Sequence, residues 1–268
     1  MLAPLAAAPL AAALLAATLL AAPQPAPPRA VPPRAPKPPA FVVVIDPGHG
    51  GDQDGAHGPG GVKEKDLVLQ IARRLRPKLE QLGARVVLTR TGDASVPLTN
   101  RAAVANGLRA DLFVSIHLNS MPTAELRRLS SGVETYFLSA DASDANAAAA
   151  AARENADRLA GEPIPDPGDP VAGILQDLEQ TAALAGSSRL AYALHEKLVA
   201  GLGSEDRGVK QAPFYVLAGA RMPAVLLEVG FISNAAEAQK LLSAAHQEKV
   251  AGAIAAGIKA WREVERRR

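Results

Sequence analysis

Two histidines and two glutamates in this 268-residue chain stand at the ends of apolar runs or beside them. The run Phe41-Val-Val-Val-Ile45 is broken by Asp46-Pro47-Gly48 and followed at once by His49; a second run, from Leu112, ends on His117; a third, Pro223-Ala-Val-Leu-Leu227, ends on Glu228. Glu64 opens an amphipathic stretch close in sequence to His49. Two imidazoles and one carboxylate, with a fourth position left to water, make a recurring catalytic zinc site. Such an ion brings bound water towards neutral pKa and polarises a carbonyl oxygen. A second carboxylate outside the ligand set must then take the water proton and pass it to the leaving nitrogen. Glu64 suits the ligand role, because its helix start can face the His49 loop, and Glu228 the base role, because it reaches the same sheet edge. Spacing alone leaves other readings open: a loop histidine without function, a glutamate favouring a helix N-terminus, or a buried ion pair at Glu228. The compact His-Glu-x-x-His signature is absent.

The elements that must hold these residues read as an α/β layer. Leu67, Ile71, Leu75, Leu79 and Leu82 recur at near-helical spacing, predicting a helix over 64–82 capped by Gly83. Strands are predicted at 85–89, 111–117, 133–138, 214–217 and 223–228, with a short helix over 98–105 carrying Arg101. Strands separated by helices imply a mixed, largely parallel sheet flanked by helices in one domain. Between 140 and 188 the rhythm changes. An alanine-rich helix over 144–159, a proline-containing loop and a helix over 171–184 form a helical insertion with no strand of its own. A helix over 190–202 resumes the pattern, Asn234 and Glu237 read as a capping box, and a last helix spans 244–261.

Residues 1–22 contain only Met, Leu, Ala, Pro and Thr, which predicts a signal peptide or an anchor, and hence export to the periplasm or cell envelope. Cleavage of that signal would leave no membrane span in the mature form. Residues 23–40 are Pro- and Ala-rich and read as a linker ahead of a domain over 41–268. Without cysteine, any metal must be held by His and carboxylate. The three cations of the linker account for much of the basic pI, and no basic patch with interleaved aromatics argues for nucleic acid.

The chain resembles the zinc-dependent N-acetylmuramoyl-L-alanine amidases of the cell-separation type. The matching segments are Ile45-Asp-Pro-Gly-His-Gly-Gly51, Val62-Lys-Glu-Lys-Asp66, Leu88-Thr-Arg90, Asn100-Arg101, Ser115-Ile-His-Leu-Asn119 and Leu227-Glu-Val-Gly-Phe-Ile-Ser-Asn234, in the family's order. The resemblance implies a six-stranded mixed sheet, zinc on His49, Glu64 and His117, and Glu228 as catalytic glutamate. It also implies a peptidoglycan substrate, cut between N-acetylmuramic acid and L-alanine of the stem peptide. Arg101 and Asn119 are candidates for substrate binding, Arg101 through a stem-peptide carboxylate, or equally for bonds to loop carbonyls or Asp residues. His57, His195 and His246 have no matching partners and read as structural.

Ala152-Arg-Glu-Asn-Ala156 and Ile174-Leu-Gln-Asp-Leu-Glu-Gln-Thr181 resemble the regulatory segment of those amidases, in which a helix covers the cleft until an activator protein displaces it. The expectation here is that Glu154 fills the open zinc position at rest, the alternative being a solvated surface helix. Relatives with this insertion often carry a β-rich targeting domain where this chain has a linker. Two other functions compete: a zinc peptidase cutting within the stem peptide, and a non-catalytic wall-binding protein.

Overall fold

The computed structural model describes residues 41–162 and 173–268, without the side chains of 173–180. The expected signal or anchor at 1–22, the linker at 23–40 and part of the insertion's loop lie outside the described residues. Six strands form one sheet: β1 (Phe41–Pro47), β2 (Ala84–Leu88), β3 (Leu112–Asn119), β4 (Val133–Leu138), β5 (Asp206–Ala212) and β6 (Ala224–Phe231). Their order is β2-β1-β3-β6-β4-β5. β2, β1, β3 and β6 run parallel, β4 is antiparallel to β6, and β5 is parallel to β4. The mixed, mostly parallel sheet is the expected one.

Side-chain alternation along these strands separates two jobs. Val43, Ile45, Val114, Ile116, Val225 and Leu227 face α1 (Glu64–Gln81), α5 (Gly173–Leu202) and α7 (Ala244–Glu265) in the larger core. Val42, Val44, Phe113 and Leu226 face α2 (Leu98–Gly107) and α4 (Ala145–Asn155). Continued to the strand ends, this second face carries Asp46, Ser115, His117 and Glu228. The polar site is therefore the extension of one core face beyond its apolar part. Two further short helices are α3 (Ala124–Leu129), which the sequence reading lacks, and α6 (Ala235–Leu242).

Several expectations are corrected. The strand expected at 214–217 is a 3₁₀ turn, Tyr215–Leu217, and the strand lies earlier, at β5. β5 is an edge strand, half-buried, with Arg207, Lys210 and Gln211 in place of an apolar run. Phe214, Val216 and Leu217 are apolar because they fill the core face under α2 and α4. The helices expected at 171–184 and 190–202 are one continuous helix, so the insertion's boundary near 188 falls inside α5. Gly186 does not break it: a Cβ there would meet Pro223 Cγ at 2.6 Å, so the glycine serves close packing. The capping box is half-made. Asn234 accepts from the Ala236 and Glu237 amides, but the Glu237 carboxylate accepts from Phe231 and Gly132. Among the described residues no helix is long and apolar enough to cross a membrane.

Candidate active site

The β1 turn delivers His49 in the left-handed region, at φ 58°, a conformation that costs a non-glycine residue about 1 kcal/mol and turns the ring inward. The preceding Gly48 is required by space, since a Cβ there would lie 2.3 Å from the His117 ring. Arg90 fixes this turn from behind, donating to the carbonyls of Pro47 (2.9 Å), Gly48 (2.7 Å) and Lys65 (2.8 Å). Glu64, first residue of α1, points back over the ends of β1 and β3. Its Oε1 accepts from the Leu118 amide and its Oε2 from the Ala56 amide, both at 2.8 Å.

These elements bring His49 Nε2, His117 Nδ1 and Glu64 Oε1 together, with separations of 2.9, 3.1 and 3.2 Å. Donor atoms around a tetrahedral ion at ~2.0–2.1 Å would lie about 3.3 Å apart, so the set fits a divalent metal such as zinc. The outer ring nitrogens are held as ligand histidines require. His49 Nδ1 meets the Asp157 carboxylate, and His117 Nε2 lies 3.1 Å from Ser115 Oγ, which in turn lies 2.7 Å from Asp46 Oδ2. With the Ser115 hydroxyl donating to Asp46, it accepts from His117 Nε2–H, leaving the Nδ1 lone pair for an ion.

The fourth member is Glu154. Ala147, Ala150, Ala151 and Glu154 share one buried face of α4 at i, i+3, i+4, i+7 spacing. The small alanines let the helix lie close over the sheet, so Glu154 Oε2 reaches within 2.8 Å of His117 Nδ1 and 3.4 Å of His49 Nε2. That oxygen is buried with no aligned hydrogen bond among the described residues, as suits an atom facing a cation. Burial opposes charge on both imidazoles, yet the carboxylates outweigh it. Glu64 and Glu154 hold His49 well above its ordinary pKa, and Glu154 and Glu64 raise His117 to about 10. The same proximity depresses Glu64 against its burial.

Glu228 is the Cα partner of His117 in the β3–β6 register, so the two side chains emerge side by side. It is 0% exposed, and neither carboxylate oxygen has a hydrogen-bond partner among the described residues. Burial first, then Glu154 and Glu64, push it well above the ordinary carboxylate range. Such a group accepts a proton readily.

Arg101 and Asn119 are placed differently. Arg101 is buried and donates to Asp46 Oδ1 (2.8 Å) and to the carbonyls of Val96 (3.1 Å), Pro47 (3.2 Å) and His49 (2.9 Å). Of the two roles open to it, these bonds are those of the loop-and-aspartate one. Asn119 is likewise engaged inside the protein, donating to Glu134 Oε2 at 2.6 Å and accepting from Arg153 at 2.7 Å. His195 bridges Thr135 and Asp206, and His57 lies beside Asp54, both away from the cluster.

Residues 43–260 match the family model for N-acetylmuramoyl-L-alanine amidase. The chain belongs to this family. AmiC of Escherichia coli is 40% identical over 224 residues, covering 82% of this chain and 52% of AmiC, so the chain spans about half that relative's length. AmiA of Escherichia coli is 39% identical, covering 81% of this chain and 74% of AmiA. Among solved structures, the N-acetylmuramoyl-L-alanine amidase of Clostridium difficile is 30% identical with a TM-score of 0.64, covering 84% of this chain and 97% of that one. CwlD of Clostridioides difficile, solved with the GerS lipoprotein, is 26% identical with a TM-score of 0.62, covering 84% and 99%.

Within this amidase-family chain, Asp46, Ser115, Glu134 and Asp157 have positions in or around the cluster that the sequence reading lacks. Asp157 lies three residues after Glu154, at the same helix end, and that spacing was the available signal.

Proposed function

We propose that this chain is a zinc-dependent peptidoglycan amidase, cutting between N-acetylmuramic acid and L-alanine of the stem peptide, and held inactive by its own α4. The observation that carries the reading is the convergence of His49, His117 and Glu64 on one point, with Glu228 in register beside them. His49 Nε2, His117 Nδ1 and Glu64 Oε1 would hold the ion. When bound, it supplies Lewis acidity, activating water and polarising the scissile carbonyl. Glu228 takes the proton of the attacking water and delivers it to the amide nitrogen as the C–N bond breaks. Its complete burial and the neighbouring carboxylates suit the first step, raising its proton affinity with no competing hydrogen bond among the described residues. Asp46 and Arg101 act through Ser115, fixing the tautomer of His117.

Glu154 supports the resting state, because its carboxylate takes the place that water needs. The segment is held by further contacts: Asn155 to the Pro213 carbonyl and the Tyr215 amide, and Glu162 to the Thr99 amide. Release then falls to an activator protein that competes for α4, in a chain exported to the periplasm or cell envelope. The test is Glu228→Ala added to the full chain carrying Glu154→Ala, in which the resting block is lifted. Turnover of peptidoglycan should vanish while zinc content stays at that of the parent; retained turnover would remove Glu228 from the role of base.

A further inference from the structure

Beside the base lies a cluster that this mechanism leaves unused. Glu134 on β4 is the Cα partner of Glu228 across the antiparallel β4–β6 pair. Its Oε2 accepts from Asn119 Nδ2 (2.6 Å) and Tyr136 OH (2.7 Å), and its Oε1 from Arg207 Nε (2.9 Å). Arg207 is also anchored by Glu205 at 3.3 Å and lies over the Phe231 ring, 5.0 Å from its centroid. Lys210 Nζ is a fourth donor to Glu134, and at 3.2 Å the longest. Its other partner is Asp144, at 3.3 Å.

Lys210 has a side chain only 12% exposed, and a mostly buried ammonium is costly without a partner. Asp144 is the N-cap of α4, accepting from the Ala147 amide at 2.7 Å. A motion that lifts α4 as a whole takes this carboxylate from Lys210 together with Glu154 from the site. Asp144 is also 44% exposed, so the position it occupies is open to solvent and to a ligand.

Resting on the amidase reading above, we infer that Lys210 binds a stem-peptide carboxylate, with Asp144 standing in for it while α4 is docked. Glu134 is two strands from His117, roughly 10 Å at ~4.8 Å per strand, and an extended peptide advances ~3.3 Å per residue. The carboxylate bound there therefore belongs to the second or third residue of the stem. Arg207 and Glu134 hold Lys210 in place, and α4 blocks two subsites together: Glu154 the reacting position, Asp144 the carboxylate position.

The experiment measures binding, not turnover, with the full zinc-loaded chain carrying Glu154→Ala. The probes are two synthetic tripeptides beginning with L-alanine and amidated at the C-terminus, one with acidic side chains at positions two and three, the other with both as carboxamides. Calorimetry should show the acidic peptide binding about tenfold more tightly, as expected for one charge-assisted hydrogen bond in a half-buried site. Adding Lys210→Met should bring that preference below about twofold, Lys210→Arg should retain most of it, and adding Asp144→Asn should strengthen acidic-peptide binding. Circular dichroism confirms that each variant is folded. With Glu154→Ala and Asp144→Asn both present, equal affinity for both peptides, a preference that survives Lys210→Met, or no binding of either overturns the Lys210 assignment. Release of stem peptides from peptidoglycan by the same Glu154→Ala chain tests the amidase reading separately.

Discussion

Glu154 Oε2 lies 2.8 Å from His117 Nδ1, inside the ring of donors that His49 and Glu64 complete. A carboxylate in that place does two things: it supplies a fourth donor, the second negative one, to an ion, and it excludes water from the point of attack. Glu154→Ala vacates the position even if α4 stays docked through Asn155 and Glu162. Its rate on purified peptidoglycan should exceed that of the parent at least tenfold, the worth of about one charge-assisted contact. Equal rates for the two folded, zinc-loaded proteins would mean that Glu154 does not restrain the enzyme.

Ser115 links Asp46 to His117 Nε2, which leaves Nδ1 of His117 as the nitrogen that would face an ion. Ser115→Ala should weaken zinc affinity about 10–100-fold, the usual cost of losing an outer partner of a ligand histidine. Competition with a chromophoric chelator measures this directly. An unchanged affinity would show that the ring is oriented by packing alone.

Zinc should also stabilise the fold. At a free concentration 100 times its Kd, a ligand that binds only the native state adds about 2.7 kcal/mol. The melting temperature should rise with zinc in the parent and stay flat in His49→Ala. A rise of equal size in both would place the ion elsewhere.

Asp46 and Arg101 form a buried ion pair at 2.8 Å. Burial opposes ionisation of Asp46, but the Arg101 guanidinium, helped by Thr89 and Ser115, holds it below its ordinary value. Asp46→Asn leaves Arg101 buried without its counter-charge and should cost about 3 kcal/mol in urea unfolding at pH 7. A group with a lowered native pKa contributes stability fully above its unfolded value, about 3.9, and loses it as pH falls through the native value. The difference between parent and Asp46→Asn should therefore be constant from pH 7 to about 5 and shrink below 4. A gap independent of pH would assign the loss to packing instead.

Much of this was legible in the chain because the site extends strands that are themselves legible. His49, His117 and Glu228 follow directly on buried apolar runs, and alternation then dictates that they share a face. Glu64 was legible as the start of a strongly periodic helix. β5 was not, because an edge strand needs no apolar run and its half-buried cations read as loop. The two helices expected at 171–184 and 190–202 are joined through Gly186, whose missing Cβ admits Pro223 against a continuous helix. Arg101 shows a different limit: residue type indicates what a guanidinium can bind, but which partner it faces depends on packing between α2 and the β1 turn. Asp46 and Ser115 reach the cluster only through His117, and nothing in their local sequence distinguishes that placement from an ordinary strand end.

The most direct measurement is the mass of the products released from purified peptidoglycan by the Glu154→Ala chain, with and without a chelator. The account requires intact stem peptides with a free L-alanine amino terminus, and their loss on chelation. Fragments cut within the stem would make the chain a peptidase. No release by a folded, zinc-loaded protein would contradict catalysis altogether and leave a wall-binding protein.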